Sequence, residues 1–87
     1  MNKKNYLEEL DALLSMSALN YSEIERTVLK GIEDKLPVEV AMNISKLLEN
    51  YELPYAKIKL YKYLGDKFVI SNSFQEAFIY YTIALDI

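Results

Sequence analysis

The sequence of 87 residues contains no cysteine and no histidine. Without cysteine the chain forms neither a disulfide nor a zinc–thiolate site, and it has no thiolate nucleophile. Without histidine it lacks the commonest general base at neutral pH and the commonest metal ligand. Only carboxylates, lysines and tyrosines remain for chemistry. We therefore expect a protein that is not an enzyme and that holds no metal and no cofactor.

Glycine and proline are also scarce, with two residues of each, and 52% of the residues are hydrophobic. This composition is typical of a folded chain, because a disordered chain has few apolar residues. A chain this short buries only about 60 to 65% of its unfolded surface. One small core is therefore expected, in a single helical domain over residues 1–87 with N-terminal helices over 1–53 and a helix pair over 54–87.

An excess of basic residues and long apolar runs are missing as well. Ten basic residues stand against 13 acidic ones, for a net charge of −3, so the chain has no overall positive field for nucleic acid. No run approaches the roughly 20 apolar residues of a membrane span. At the N-terminus, Glu8, Glu9 and Asp11 interrupt what would have to be the apolar core of a signal peptide. The simplest interpretation is a soluble cytoplasmic protein.

Local signals for helix starts divide the chain into five segments. Three pairs have the spacing of a capping box, in which the first side chain accepts a hydrogen bond from the third helical amide. They are Asn5 with Glu8, Ser22 with Glu25, and Ser73 with Glu76. Pro37 and Pro54 suit the first turn of a helix, where a missing amide proton costs nothing. The sequence therefore predicts an all-α fold, a helical hairpin bundle of about five short antiparallel helices.

Apolar residues recur at intervals of three and four within each segment, which places each set on one face of a helix. The N-terminal sets are Leu7, Leu10 and Leu14; Ile24, Val28 and Ile32; and Val40, Ile44, Leu47 and Tyr51. The C-terminal sets are Ile58, Tyr61, Leu64 and Phe68, and then Phe74, Ala77, Phe78, Tyr81 and Leu85. We expect these faces to point inward. Because the connecting segments are short, consecutive helices should pack antiparallel.

Small residues punctuate the aromatic C-terminal part of the chain at regular intervals. The positions that carry this spacing are Tyr61, Leu64, Gly65, Phe68, Ala77, Tyr81, Ala84 and Leu85. Their spacing resembles that of the 34-residue tetratricopeptide repeat, and the resemblance covers residues 58–87. The preceding window matches only partly. Gly31 falls one period before Gly65, but Asp34 and Asn43 stand where the pattern has an aromatic and a small residue.

In tetratricopeptide repeats, the small residues after the leucine and in the second helix allow the two helices of a hairpin to approach closely. The resemblance implies that Gly65 and Ala77 lie where two helices touch, and that Ala84 is small because a further helix packs on it. A glycine inside a helix costs about 1 kcal/mol relative to alanine, so Gly65 independently calls for a packing reason. Asn72 suits a left-handed conformation in the turn between the helices.

The resemblance also implies a concave groove that receives peptides. Its lining would be Lys59, Lys62, Tyr63, Asp66 and Ile70. The two lysines would hold an acidic segment or a C-terminal carboxylate as point charges. The alternative is that these lysines simply form a solvated helix face.

A second candidate surface lies near the end of the chain. If Tyr81 points inward, Tyr80 turns about 100° away from it, and Tyr80, Ile83 and Ile87 become candidates for an exposed apolar edge. Exposed tyrosines beside isoleucines are typical of interfaces, and an uncovered edge of a repeat protein usually meets another helix, chain or ligand. We therefore expect self-association through the C-terminal helix. The alternative is that these residues pack in the core.

These features favour a non-catalytic module that binds another protein or a peptide, as an adaptor, chaperone or regulatory protein. Families with such repeats include peptide-responsive bacterial regulators and secretion chaperones. One alternative is a self-contained bundle that resembles small bacteriocin immunity proteins, which would be a monomer. The least favoured alternative is a nucleic-acid-binding regulator, in which bases stack on Tyr55 and Tyr63 beside the lysines of the fourth segment. Those lysines are Lys57, Lys59, Lys62 and Lys67. No small-molecule substrate is expected.

Overall fold

The structure, a computed structural model, describes residues 5–87, which form five α-helices and no strand. The helices are α1 (Tyr6–Leu14), α2 (Tyr21–Glu33), α3 (Val38–Leu47), α4 (Pro54–Ile70) and α5 (Phe74–Asp86). The all-α fold and the number of helices expected from the sequence are therefore confirmed for these residues.

The helix starts follow the local chemistry of the chain, with one shift. The backbone N–H of Glu8 donates to Oδ1 of Asn5 at 3.0 Å, as the capping signal predicts. The cap of α2 is Asn20, whose Oδ1 accepts from the N–H of Glu23 at 3.1 Å, so the prediction of Ser22 as the cap was wrong. Asparagine is as good a cap as serine, and the first turn of α2 forms two residues earlier than expected.

The remaining starts depend less on side-chain caps. Pro54 is the first residue of α4, as expected. Pro37 directly precedes α3 and occupies its cap position. Ser73 precedes α5 but its side chain makes no capping hydrogen bond. The prediction of Ser73 as a capping side chain was therefore wrong.

Two helices end in the same left-handed motif. Lys35 after α2 and Asn72 after α4 have φ angles of 58° and 62°. In both turns the N–H of the next residue reaches a helical carbonyl five residues back: Leu36 to Gly31 at 3.1 Å, and Ser73 to Phe68 at 2.8 Å. This is the Schellman pattern of helix termination. The expected left-handed Asn72 is confirmed.

The hydrophobic core belongs to the first four helices and their connections. Its buried members are Tyr6, Leu10, Ile24, Val28, Leu36, Ala41, Ile44, Leu48, Leu53, Ala56, Leu60 and Leu64. Helix α1 packs on α2 and α3, and α4 packs on α2 and α3 from the other side. Because α4 supplies Ala56, Leu60 and Leu64, it shares one core with the helices that precede it.

Helix α5 stands outside this core. Among the described helices it contacts α4 alone, and Ala77 is its only buried residue. Helices α2 and α3 do not contact each other, so the expectation that all consecutive helices pack together fails for this pair. The Cα trace measures 39 × 35 × 16 Å. This flat shape leaves the α4–α5 hairpin with a broad exposed surface.

Candidate protein-binding surface

The joint between α4 and α5 is built on the smallest residue of α4. The aromatic ring of Tyr81 lies directly over Gly65, where a Cβ atom would be 2.5 Å from Cε1 and 2.9 Å from Cζ of Tyr81. The close contact implied at Gly65 is therefore confirmed, with a ring and not a backbone as the neighbour. Ala77 is 2% exposed against α4.

A polar network fixes the orientation of the Tyr81 ring. The Tyr81 hydroxyl donates to Oδ1 of Asp66, and Nζ of Lys62 lies 3.2 Å from Oδ2 of the same carboxylate. The hydrogen bond from Tyr81, with a smaller contribution from Lys62, lowers the pKa of Asp66. The same hydrogen bond raises the pKa of Tyr81. At neutral pH the pair therefore stays as phenol and carboxylate, which holds α5 at a defined rotation on α4.

Tyr80 lies on the other flank of the joint. Its ring stacks on Phe68 at a centroid distance of 5.6 Å and on Tyr61 at 6.1 Å. Burial raises the pKa of Tyr61 in this aromatic cluster. Tyr80 is thus half-buried, which favours the alternative of packing over the exposed position, because α4 offers two rings on that side. Ile83 and Ile87 are exposed, as expected.

The structure separates the residues of the predicted groove on α4. The hydroxyl of Tyr63 donates to the carbonyl of Leu36 at 2.7 Å, so Tyr63 points to the turn between α2 and α3. Burial raises its pKa. Nζ of Lys59 lies 5.5 Å above the Tyr55 ring, and Ile70 is exposed. Lys62 and Asp66 pair with each other, so the set forms one exposed helix face with Tyr63 turned away.

The most exposed apolar residues of the hairpin lie on the outer side of α5. Phe74, Phe78 and Leu85 are 62%, 71% and 87% exposed; we call these three residues the apolar stripe. The expectation that they point inward was wrong. Only one helix packs on α5, so only the side around Ala77 is covered. Ile79 is exposed beside the stripe, and an open depression of about 440 Å³ lies between Phe74, Gln75, Phe78 and Ile79.

The apolar residues of α5 are not confined to one side of the helix. The sequence of α5, FQEAFIYYTIALD, is apolar on nearly every side. A helix of this kind is usually buried all round, whereas a helix with one neighbour covers one side. The number of neighbours depends on the tertiary arrangement, so spacing alone could not identify the apolar stripe.

Two further observations concern the described part of the chain. Within residues 5–87 no group of three acidic side chains is arranged to hold a metal ion. None of the helices in the same residues has the length and apolar character that a bilayer crossing requires.

Comparisons of the chain with protein-family models, with curated proteins and with solved structures found no match. The function proposed below therefore rests on the residues and geometry of the chain itself.

Proposed function

We propose that the protein is a non-catalytic module that binds another protein or a peptide through its α4–α5 hairpin. The observation that carries this proposal is the exposure of the apolar stripe on a helix held by one neighbour. Burying a side chain such as phenylalanine or leucine contributes about 1.5 to 3 kcal/mol. A partner that covers the stripe therefore gains binding energy from several such side chains.

The side chains of the apolar stripe are not needed to complete the core, which favours a role in binding. The core of α1 to α4 is complete without Phe74, Phe78 or Leu85. Large exposed apolar patches on a folded chain mark sites of interaction. A self-contained bundle like the immunity proteins would be expected to cover its last helix, so the exposed α5 favours the binding module over that alternative.

The biological setting of the proposal follows the sequence expectations. We place the module in the cytoplasm, as an adaptor, chaperone or regulatory protein with a tetratricopeptide-like helix pair at its C-terminal end. Self-association through α5 is part of this proposal. On α4, Lys59 and Lys62 are the candidates to contact an acidic partner, although Lys62 also pairs with Asp66 at 3.2 Å.

Site-specific crosslinking in the source cells tests the proposal. A photoreactive phenylalanine analogue at Phe78 is expected to capture a discrete protein, which is then identified by mass. The same group at Met16, which is also exposed but lies between α1 and α2, is the matched control. The identified protein must bind the purified chain, and Phe78→Glu must abolish that binding. Equal capture at both positions, or binding that survives Phe78→Glu, contradicts the proposal.

A further inference from the structure

The three residues of the apolar stripe, together with the partly buried Tyr81, have the spacing of a helix-pairing seam. Phe74, Phe78, Tyr81 and Leu85 follow one another at intervals of four, three and four residues. At 100° per residue these four positions lie within about 60° of one another. Apolar residues at alternating intervals of four and three are the pattern by which two helices pack side by side.

This seam is complementary to a reversed copy of itself. Phe74 and Leu85 lie equally far from the middle of the stripe, and so do Phe78 and Tyr81. In an antiparallel pair of α5 helices related by a two-fold axis, Phe74 opposes Leu85 of the second copy and Phe78 opposes Tyr81. A two-fold interface requires exactly this reciprocity of contacts.

The charges around the seam allow two copies of an acidic protein to meet. The residues that border the seam on its open side are Gln75 and Thr82, which are neutral. Asp86 lies about 20° beyond Gln75 at the end of the helix, where the antiparallel arrangement keeps the two copies of Asp86 at opposite ends of the pair, and Glu76 lies on the far side of the helix. On the α4 side of the seam, the Tyr81 hydroxyl donates a hydrogen bond to Asp66. Asp66 in turn pairs with Lys62, so this side carries one charge of each sign. Like charges are therefore not forced together across the seam.

The exposed area also matches what a dimer needs. A large apolar side chain presents roughly 150 to 250 Å², so the exposed fractions of the apolar stripe leave on the order of 400 Å² of apolar surface. A standard interface buries about 800 Å² per partner, of which slightly more than half is apolar. The exposed apolar area of the stripe is thus close to the apolar area that one partner buries in such an interface.

We infer that the apolar stripe binds a second copy of the same chain, in an antiparallel α5–α5 pair about a two-fold axis. This inference rests on the proposed binding function and names the partner of the same surface. It replaces the edge of Tyr80, Ile83 and Ile87 as the centre of self-association, because Tyr80 is already stacked on α4 and because Phe74, Phe78 and Leu85 are more exposed than Ile83 and Ile87.

Sedimentation equilibrium of the full chain at micromolar concentrations measures the pairing. The native chain is expected to dimerise, and Phe78→Glu should weaken the dimer roughly 100-fold or more because two phenylalanines leave the interface. Ile83→Glu also replaces an exposed apolar residue of α5 by glutamate, but it lies away from the seam, so it should leave the dimer unchanged. Circular dichroism checks that both variants stay helical. A monomeric native chain, or a dimer that Ile83→Glu disrupts and Phe78→Glu does not, overturns the inference.

Crosslinking determines the direction of the pair. Because the chain lacks cysteine, Gln75→Cys and Thr82→Cys each introduce a single reactive thiol beside the seam. In the antiparallel pair these two positions lie close together across the axis, so a short bis-maleimide should link the mixed variants. Gln75→Cys alone should link poorly, because the two copies of residue 75 lie about 14 Å apart along the helix axes, against about 8 Å for residue 82. Strong linking of Gln75→Cys alone indicates a parallel pair and contradicts the proposed arrangement.

The outcomes also separate this inference from the proposed function. If the pure chain is monomeric while the photoreactive group at Phe78 captures a different protein, the binding function stands and the second copy is the wrong partner. If neither self-association nor capture depends on Phe78, both proposals fail.

Discussion

The Tyr81 ring over Gly65 determines how close α5 lies to α4. A Cβ atom at Gly65 would lie 2.5 Å from the ring, which is well inside van der Waals contact. The ring is rigid and its hydroxyl is held by Asp66, so it has little freedom to move aside. The absence of a side chain at Gly65 is therefore explained by the Tyr81 ring of the neighbouring helix, which occupies the space that a Cβ atom would need.

We expect Gly65→Ala to destabilise the protein. The overlap with Tyr81 should cost roughly 1 to 3 kcal/mol, and the better helix propensity of alanine offsets about 1 kcal/mol of it, so the net loss should be up to about 2 kcal/mol. Urea unfolding at a concentration where the chain is monomeric measures the difference. In a Tyr81→Ala background the sign should reverse, because the ring is gone and only the propensity remains. Equal effects in both backgrounds would refute this explanation of Gly65.

The Tyr81–Asp66 hydrogen bond should make stability depend on pH in the acid range. The folded state lowers the pKa of Asp66, so its contribution is present above the ordinary carboxyl pKa of about 4 and is lost as pH falls through the folded-state value. The stability difference between the native chain and Tyr81→Phe should therefore be largest at neutral pH and shrink in acid. Carboxyl NMR titration should show the pKa of Asp66 rising in Tyr81→Phe. An unchanged pKa would mean that Lys62 alone sets it.

At the scale of helices and turns, the two positions with a positive φ angle are occupied by a lysine and an asparagine, which tolerate this conformation to different degrees. Asparagine tolerates a positive φ because its short side chain bonds locally, whereas lysine does so poorly. Both Lys35 and Asn72 nevertheless complete the same hydrogen-bonded termination. The Leu36 side chain that follows Lys35 packs over Gly31, and this contact holds the lysine in its unfavourable conformation.

We expect Lys35→Gly to stabilise the protein by roughly 0.5 to 1 kcal/mol, because glycine adopts a positive φ without steric cost. Asn72→Gly should gain less, since asparagine already fits. Lys46→Gly, inside α3, is the control in the opposite direction and should lose up to about 1 kcal/mol. Thermal unfolding of the three variants ranks them, and a loss in Lys35→Gly would show that its side chain contributes contacts of its own.

The features that the sequence predicted correctly are those set within a few residues. The Asn5 cap, the start of α4 at Pro54, the left-handed Asn72 and the close contact at Gly65 all follow from local chemistry or from one small residue. Two local predictions failed, the caps at Ser22 and Ser73, but the larger failures depend on distant parts of the chain. Periodicity gives the apolar side of α5 but not how many helices cover it, so Phe78 was predicted inward although it is exposed, and the position of Tyr80, which is partly buried, stayed open.

At the scale of the whole molecule, α4 divides the protein into a closed core and an attached helix. Helices α1 to α4 bury nearly all of the core residues, and α5 adds Ala77 and the partly buried Tyr80. Segments with few buried apolar contacts open with a smaller free energy than the global unfolding. We therefore expect α5 to open more readily than α2 and α4 in the isolated monomer, and we expect a partner on the apolar stripe to stabilise it by mass action.

Native-state hydrogen exchange measures this hierarchy directly. At low protein concentration, we expect the amides of α5 to exchange through local opening and to be less protected than those of α2 and α4. If a second copy covers the stripe, protection of α5 should rise with protein concentration while protection of α2 changes little. Phe78→Glu should remove the concentration dependence and leave the low-concentration pattern intact. If α5 were as protected as α2 in the dilute monomer, α5 would unfold together with the core. The exposed stripe would then not mark a helix that opens separately.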